Sequence, residues 1–358
     1  MRPDTRHSRA AEQAATLAEK VRFLSRPESY PGSPADVAVR ETHLSYVFLT
    51  PTQVFKMKKP VAHAYGDLRT LAARGANCRA EVRLNRRLAP NVYLGIAALR
   101  QDLDGNLALS GEVSGELSGE NRGAGEAVEW LVHMDRLPAA AMLDHLILHD
   151  LLTPADVNAV AKTLGDFFAA QPAVDVGVDR HVARLREQLE VSTRVLTRRE
   201  FALPPAALAS VHGAIARFLD DGSELAARVR THRIIEGHGD LRPEHVCVVA
   251  PPVIIDCLEF SRELRLLDPL DEIAFLELEC ARLGAPWVGP LLRQSVEARL
   301  EDRPSARLLA FYTALRACIR ARLAAAHLLE PEPHTPSKWL PLAHDYFVRA
   351  EQACAAFD

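Results

Sequence analysis

Two segments of the chain concentrate side chains that could do chemistry. The stretch HGDLRPEH (residues 238–245) places carboxylates, a guanidinium and two imidazoles within eight residues. Two short β-type runs around Pro251-Pro252 follow it, and the second run ends at Asp256. Side chains of these types can accept protons, bind phosphate or ligate metal ions. The other segment, VFKMKKP (54–60), carries three lysines at the end of a β-type run.

The HGDLRPEH stretch closely resembles the catalytic loop of protein-kinase-like enzymes, commonly written HRDLKPEN. Its glycine is typical of the aminoglycoside phosphotransferase branch of that superfamily. Eight aligned positions argue against an ordinary polar loop. The resemblance implies that Asp240 accepts or orients the proton of a substrate hydroxyl. It also implies that His238 holds the loop backbone and that Arg242 faces the γ-phosphate.

The metal-binding positions contain the one departure from the family pattern. Ile254-Ile255-Asp256 resembles the metal-binding Asp of the same fold, so Asp256 and position 245 are both implied to reach Mg²⁺. The family has Asn at this position, whereas this chain has His245. An imidazole nitrogen is a poorer ligand for a hard cation than an amide oxygen. Three interpretations stay open: His245 binds a softer ion such as Mn²⁺, it acts through a metal-bound water, or Asp256 works alone.

A kinase also needs a strand Lys and a Glu on the following helix to hold the nucleotide phosphates. Strand alternation puts Lys56 and Lys58 on one face. Lys56 matches the family position best, and Lys58 is the alternative. Glu81 is the only acidic residue between positions 69 and 100, and it lies in the middle of a predicted helix. We therefore predict that Glu81 is the partner of the phosphate-holding lysine.

No glycine-rich phosphate loop accompanies these lysines, since neither GxGxxG nor GxxxxGK[ST] occurs in the expected place. The segment ETHLSY (41–46) occupies the position of the phosphate-covering turn, where aminoglycoside-kinase-like enzymes often use a Ser-bearing turn. Ser45 is therefore a candidate phosphate contact, with plain turn chemistry as the alternative. The segments at 41–61 and 81–95 resemble an uncharacterised bacterial group of aminoglycoside-phosphotransferase-like proteins. With the two motifs above, the resemblance spans about residues 30 to 285.

The patterning predicts elements that would position these residues. Short β-type runs dominate before residue 135, and one helix at 68–88 interrupts them. Asp102–Gly105 reads as a hairpin turn, and 111–125 reads as a surface loop. Beyond Pro138 the pattern is almost wholly helical. Strands are predicted at Val37–Arg40, Ser45–Leu49, Gln53–Lys59, Tyr93–Arg100, Asn106–Leu109 and Ala127–Met134, and helices at 154–170, 178–198, 204–220, 266–283, 304–328 and 338–356.

These elements predict an α+β class and a bilobal protein-kinase-like fold. It would combine a small antiparallel β-sheet N-lobe, with one helix, and a larger, mostly helical C-lobe. We expect an N-terminal helical extension at 1–24, with its helix from Ala10 to Arg22. The nucleotide-binding N-lobe would occupy 25–137. The C-lobe at 138–358 would hold the catalytic loop, the metal site and the substrate pocket.

Composition narrows the class of protein. The net charge of −4 gives no electrostatic case for a nucleic-acid partner. The sequence contains no apolar run of 18 residues, so no membrane span is predicted. The N-terminal segment is charged throughout and is not predicted to be a secretory signal. Six scattered cysteines without a CxxC pair are typical of a reduced protein. We therefore expect a cytoplasmic protein; its oligomeric state is not indicated.

The resemblance implies an ATP-dependent (or GTP-dependent) small-molecule kinase that uses Mg²⁺, with Mn²⁺ as an alternative. About ten residues separate Asp256 from the next predicted helix, which leaves no room for a protein-kinase activation loop. The acceptor is therefore expected to be a small-molecule hydroxyl, aminoglycoside-like or metabolite. The acidic stretch at 259–279 could attract a cationic acceptor or simply anchor a helix. A pseudokinase that binds nucleotide or a partner is the alternative function.

Overall fold

The computed structural model describes residues 15–63, 65–110, 125–330 and 335–357. It divides into two compact units. The first comprises the described residues up to Ala139 together with Ile254–Ser261. The second comprises Ala140–Val253 and the described residues from Arg262 onward. Asp256 therefore belongs to the first unit and Asp240 to the second.

A six-stranded antiparallel sheet forms the body of the first unit. The strands of the unit are β1 Ala38–Glu41, β2 Ser45–Leu49, β3 Gln53–Lys58, β4 Ala62–His63, β5 Gly66–Asp67, β6 Tyr93–Gln101, β7 Leu107–Ser110 and β8 Glu126–Asp135, with β4 and β5 forming a separate hairpin. The sheet has the order β1-β2-β3-β8-β6-β7. The Asp102 carboxylate accepts the backbone N–H groups of Asp104 and Asn106 at 2.9 and 2.8 Å, which closes the predicted hairpin between β6 and β7.

Two helices accompany this sheet. Helix α1, Leu17–Leu24, begins at a Thr16 capping box and contributes Leu24 to the apolar core that also holds Phe55 and Met57 of β3. Its predicted start at Ala10 lies outside the described residues. Helix α2, Leu71–Asn85, is the helix predicted at 68–88. Because Phe55 and Met57 enter the core, alternation turns Lys56 and Lys58 of β3 to the other face.

The second unit is mostly helical, as predicted. Its helices are α3 Leu143–Leu148, α4 Pro154–Ala170, α5 Val178–Leu196, α6 Pro205–Asp221, α7 Ser223–Arg230, α8 Pro269–Arg282, α9 Val288–Leu300, α10 Ala306–Ala326 and α11 Pro336–Cys354. Helix α9 was not predicted, because Gly289 and Pro290 are helix breakers in most positions; both lie in its first turn, where proline is tolerated. Helices α3 and α7 were missed because they are short.

Short strands bracket the HGDLRPEH stretch. Strand β9, Ile235–Glu236, precedes it and pairs antiparallel with β12, Leu266–Leu267. Strands β10, Val246–Cys247, and β11, Val253–Ile254, follow it. The predicted loop at 111–125 falls almost entirely on residues 111–124, which lie outside the described residues. Within the described part of the chain, every helix is too short or too polar to cross a membrane.

Candidate functional site

Lys56 of β3 bonds two carboxylates of the first unit. Its ammonium donates to Glu81 of α2 at 2.9 Å and to Asp256 at 2.7 Å. Glu81 is fully buried, whereas the side chain of Asp256 is 44% exposed. The lysine predicted as the phosphate-holding group therefore lies between the predicted helix carboxylate and the predicted metal carboxylate.

Lys58, two residues further along the same face, is held more tightly. Its ammonium forms ion pairs with Glu81 and with Glu259, the latter at 2.6 Å. Its side chain is 1% exposed, against 15% for Lys56. The two lysines and the three carboxylates, Glu81, Asp256 and Glu259, form a lysine cluster in which positive and negative groups alternate.

Electrostatic interactions keep Lys56, Lys58 and Glu81 charged. Burial opposes the charged form of Lys56, but the carboxylates of Asp256 and Glu81 outweigh it and hold the lysine pKa well above its ordinary value. The pKa of Lys58 is also raised, because Glu81 and Glu259 outweigh its burial. Burial would raise the pKa of Glu81, yet the two ammonium groups lower it. Removing one partner from a buried ion pair lowers the free energy of unfolding by about 3–5 kcal/mol.

The backbone around Asp256 is fixed by two side chains of the first unit. Asp256 adopts a left-handed conformation, with φ of +63°, which Asp tolerates better than most residues. Its N–H donates to the hydroxyl of Tyr93 at 3.2 Å, and the N–H of Cys257 donates to the side chain of Asn85 at 2.9 Å. These bonds tie the Asp256 segment to β6 and α2, and so to the lysine cluster.

In the second unit, the HGD loop (residues 238–245) rests on a buried carboxylate. Glu272 of α8, fully buried, accepts the N–H groups of His238, at 3.0 Å, and Gly239. Gly239 has φ of +92°, where a side chain would be strained. Gly237 is equally constrained, since a Cβ there would lie 2.6 Å from a Glu272 oxygen. Both glycines let the chain close over Glu272.

Asp240, the predicted base, lies at the centre of an HGD-loop cluster with His238, Arg242, Glu244 and His245. Its carboxylate accepts a hydrogen bond from Arg242 Nε at 3.1 Å, and Arg242 also pairs with Glu244. The fully buried His238 accepts the Asp240 N–H on Nδ1 at 3.3 Å. Burial would raise the pKa of Asp240, but Arg242 and the neighbouring imidazoles and guanidiniums lower it. Its side chain is 25% exposed, so it is accessible as well as ionised.

The two ring nitrogens of His245 both bond protein groups. Nδ1 lies 2.8 Å from the Asp240 carbonyl oxygen, which can only accept, and Nε2 lies 3.1 Å from Arg242 Nη2, which can only donate. The proton therefore sits on Nδ1, and the lone pair of Nε2 faces Arg242. The ring is thus held between Asp240 and Arg242 of the same loop.

Known proteins resemble this chain at two levels. Uncharacterized proteins of Mycobacterium tuberculosis and Mycobacterium bovis are 29% identical over 301 residues, which cover 83% of this chain and 56% of theirs. The chain thus spans about half the length of these curated relatives. No family model matches it. Among solved structures, a choline/ethanolamine kinase family protein from Mesorhizobium loti aligns with a TM-score of 0.51 at 13% identity, covering 94% of this chain and 95% of that one.

A choline kinase from Cryptosporidium parvum aligns equally well, with a TM-score of 0.51 at 10% identity over 93% of this chain and 94% of that one. The chain has a protein-kinase-like fold. The predicted α+β fold class, with its antiparallel sheet and its largely helical remainder, is confirmed.

Asp256, the predicted metal ligand, has chemistry that fits Mg²⁺. It is a carboxylate, about half exposed, and hard cations prefer oxygen ligands. His245 fits less well, because its only lone pair faces a guanidinium. Across residues 15–63, 65–110, 125–330 and 335–357, no group of three or more His, Cys, Asp or Glu side chains is placed to hold a metal.

Ser45 lies at the start of β2 rather than in the turn before it. It is 1% exposed and stands opposite Lys58 in the β2–β3 register. The turn itself is closed by Thr42, whose side chain accepts the Ser45 N–H at 3.0 Å. A phosphate contact from Ser45 stays a prediction.

Sequence reasoning missed several residues that position the predicted ones. Glu259 and Glu272 were seen only as members of an acidic stretch, and Tyr93 and Asn85 were not singled out. One signal was available: a second strand lysine on an inward face needs its own carboxylate, because buried ammonium groups are found paired. The protein-kinase-like fold supplies that carboxylate 201 residues away along the chain.

Proposed function

We propose that the protein is an ATP-dependent phosphotransferase that moves the γ-phosphate to a hydroxyl group of a small molecule. The observation that carries the proposal is the Lys56–Glu81 ion pair, in which the same ammonium also bonds Asp256. Kinases of this fold use a strand lysine held by a helix glutamate to fix the nucleotide phosphates. The likeness of fold agrees with this chemistry.

The first unit would bind the nucleotide. Lys56 is the better candidate for the phosphates, because Lys58 is almost fully enclosed between Glu81 and Glu259. Lys58 and Glu259 would then act as positioning residues that keep Glu81 and the Asp256 segment in place. Asp256 would hold Mg²⁺, or Mn²⁺, which neutralises charge on the phosphate oxygens when bound.

The second unit would prepare the acceptor. As the acceptor oxygen forms its bond to the γ-phosphorus and the bond to the ADP oxygen breaks, the hydroxyl proton would pass to the Asp240 carboxylate. Arg242 would exchange part of its bonding to Asp240 and Glu244 for the transferring phosphate. His238 and His245 would hold the loop, and no metal contact is assigned to His245.

Release of ADP from ATP, measured against a panel of antibiotics and hydroxylated metabolites, tests the proposal. We expect turnover with at least one acceptor, dependence on Mg²⁺ or Mn²⁺, and a fall of about 10²–10⁴-fold in Asp240→Ala, the range for loss of a general base. A folded Asp240→Ala variant with wild-type turnover would overturn the assignment of the base.

One observation favours a nucleotide-binding pseudokinase as the alternative function. The carboxylate of Asp240, the predicted base, already bonds the Arg242 guanidinium and so has less capacity to accept a proton from a substrate. Thermal-shift titration with ATP separates the two functions. An active kinase should bind ATP more tightly with Mg²⁺ present. Stabilisation that ignores the metal, together with no ADP release for any acceptor, would identify the pseudokinase.

Several expectations stay predictions. ATP and GTP stay alternative phosphoryl donors. All six cysteines are buried, which supports a reduced, cytoplasmic setting. The domain limits expected from the sequence, and the absence of nucleic-acid or membrane partners, also stay predictions.

A further inference from the structure

Two arginines of the second unit share one buried carboxylate. Arg282 of α8 donates through Nε to Glu279 at 2.9 Å, and Arg320 of α10 donates through Nε at 3.0 Å. Glu279 is 1% exposed, and it also accepts the hydroxyl of Tyr346 at 2.6 Å. The arginine pair, Arg282 and Arg320, therefore carries one more positive charge than its carboxylate partner.

The terminal N–H groups of the two guanidiniums make few hydrogen bonds to the described residues. Both side chains bond Glu279 through Nε, and both guanidiniums lie over the Tyr346 ring, at 5.5 and 5.3 Å from its centre. The terminal nitrogens contact one protein acceptor among the described residues, the Tyr346 hydroxyl, at 3.4 Å from Arg320. The side chains are 22% and 18% exposed. A guanidinium with open terminal N–H groups is suited to bidentate binding of a carboxylate or phosphate.

This pair lies near the HGD loop. Glu272, which binds the loop backbone, and Glu279, which binds the pair, lie seven residues apart on one face of α8. Arg320 is also among the groups that lower the pKa of Asp240, after Arg242 and His245. Burial opposes the charge of Arg282, but Tyr346, Glu279 and, more weakly, Glu244 of the same loop raise its pKa. A ligand group held by the pair would therefore lie on the face of α8 that supports the HGD loop.

The acidic residues of this region, by contrast, are committed to other partners. Asp268 caps α8 and pairs with Arg228 at 2.5 Å, while Asp271 makes two bonds of 2.7 Å to Arg316. Glu272 holds the HGD loop. These three acidic residues thus anchor helices and the loop rather than presenting carboxylates to a cation, which argues against an aminoglycoside-like or choline-like acceptor.

We propose that the acceptor is an anionic hydroxyl compound, whose carboxylate or phosphate is bound by Arg282 and Arg320. This rests on the proposed phosphotransferase function, and it deepens that function by naming the substrate class. The anionic group would bind the terminal N–H groups of the pair and direct a neighbouring hydroxyl to Asp240.

A matched three-carbon series tests the proposal on the full chain. D-Glycerate, sn-glycerol 3-phosphate, glycerol and 3-amino-1,2-propanediol share a diol and differ in one terminal group. Affinity comes from the dose dependence of thermal stabilisation in the presence of ADP and Mg²⁺, and turnover comes from ADP release. We expect one or both anions to stabilise the protein and to act as acceptors, and the neutral and cationic members to be at least about tenfold weaker.

Variants assign the binding to the pair. Arg320→Gln and Arg282→Gln should each weaken the anion about tenfold or more, while Arg320→Lys keeps the charge and loses less. Arg307→Gln is the matched control, since Arg307 lies on the same helix and pairs with Asp221 and Glu224. Melting temperatures without ligand identify any variant that has lost its fold, and Arg320→Lys then provides the comparison.

The outcomes separate this inference from the function on which it rests. Anion binding that depends on the arginine pair but gives no ADP release would retain the anion site and reject phosphotransfer. Turnover with the aminodiol, choline or an aminoglycoside, unaffected by Arg320→Gln, would retain phosphotransfer and overturn the anionic acceptor. Absence of stabilisation by both anions at 10 mM, on the order of the weakest specific affinities, would overturn it as well.

Discussion

The lysine cluster and the HGD-loop cluster each surround a carboxylate with cations, but they do so in different ways. Glu81 is fully enclosed by two ammonium groups, whereas Asp240 is one-quarter exposed and touches one guanidinium. The backbone beneath Asp240 is held separately, by Glu272. In the first cluster the charges that would bind nucleotide also hold the fold together. In the second, support and chemistry belong to different residues.

The largest effect is expected at the centre of the lysine cluster. Glu81→Gln removes the fully buried carboxylate that both ammonium groups share, so we expect a loss of about 3–5 kcal/mol in the free energy of unfolding. Chemical denaturation measures it. Glu41→Gln, which removes the exposed partner of Lys59, should cost less than about 1 kcal/mol. Equal losses in the two variants would mean that burial of the cluster does not matter.

Asp240→Asn should show the opposite pattern. We expect ADP release to fall about 10²–10⁴-fold, as for loss of a general base. The free energy of unfolding should change by less than about 1 kcal/mol, because Arg242 keeps Glu244 as its partner. Denaturation and turnover are measured on the same preparation. A large loss of stability would erase the distinction between the clusters.

As pH falls, the second unit should lose stability at a higher pH than the lysine cluster does. Burial, together with Arg184, lowers the pKa of His181 to about 4. Between pH 6.5 and 4, His181 is therefore protonated in the unfolded chain and neutral in the folded one. The free energy of unfolding falls as pH falls through this window, by on the order of 3 kcal/mol. Glu81, whose pKa is lowered, loses its contribution only below its ordinary range.

Unfolding free energies of the His181→Phe variant, measured from pH 7 to 4, check this expectation. The acid slope should flatten in that variant and persist in His212→Phe, which changes a more exposed histidine. An unchanged slope in His181→Phe would place the acid-sensitive group elsewhere.

The smallest effect is expected at His245. An Asn side chain can replace one of its two bonds but not both, so His245→Asn should lower turnover about threefold to tenfold, the cost of one lost hydrogen bond. The ratio of activities with Mg²⁺ and Mn²⁺ should stay the same, because the ring bonds Asp240 and Arg242. A changed ratio would restore a metal role for this residue.

Local patterns were sufficient to predict much of this arrangement. Strand alternation placed Lys56 and Lys58 on one face, and both do contact Glu81, the one carboxylate available on the predicted helix. The Asp102–Gly105 turn and most helices of the second unit also followed from short-range signals. Roles inferred by resemblance for Asp240, Arg242 and Asp256 stay predictions.

Contacts between distant segments could not be predicted. Glu259 meets Lys58 across 201 positions, and Glu272 meets His238 across 34, without any periodicity that links them. The engagement of His245 by Arg242 depends on the curvature of the loop, which is set by Gly239 and by the buried Glu272. Such features follow from tertiary packing, which overrides local preference.

The pairing of Lys56 and Lys58 has a practical consequence for amine chemistry. The chain contains six lysines: Lys20, Lys56, Lys58, Lys59, Lys162 and Lys338. Acylating reagents attack the neutral amine, and the carboxylates keep the cluster lysines protonated and enclosed. Lys162 and Lys338 are exposed. Limited acylation should therefore attach a dye or a solid support to these two and leave the lysine cluster intact.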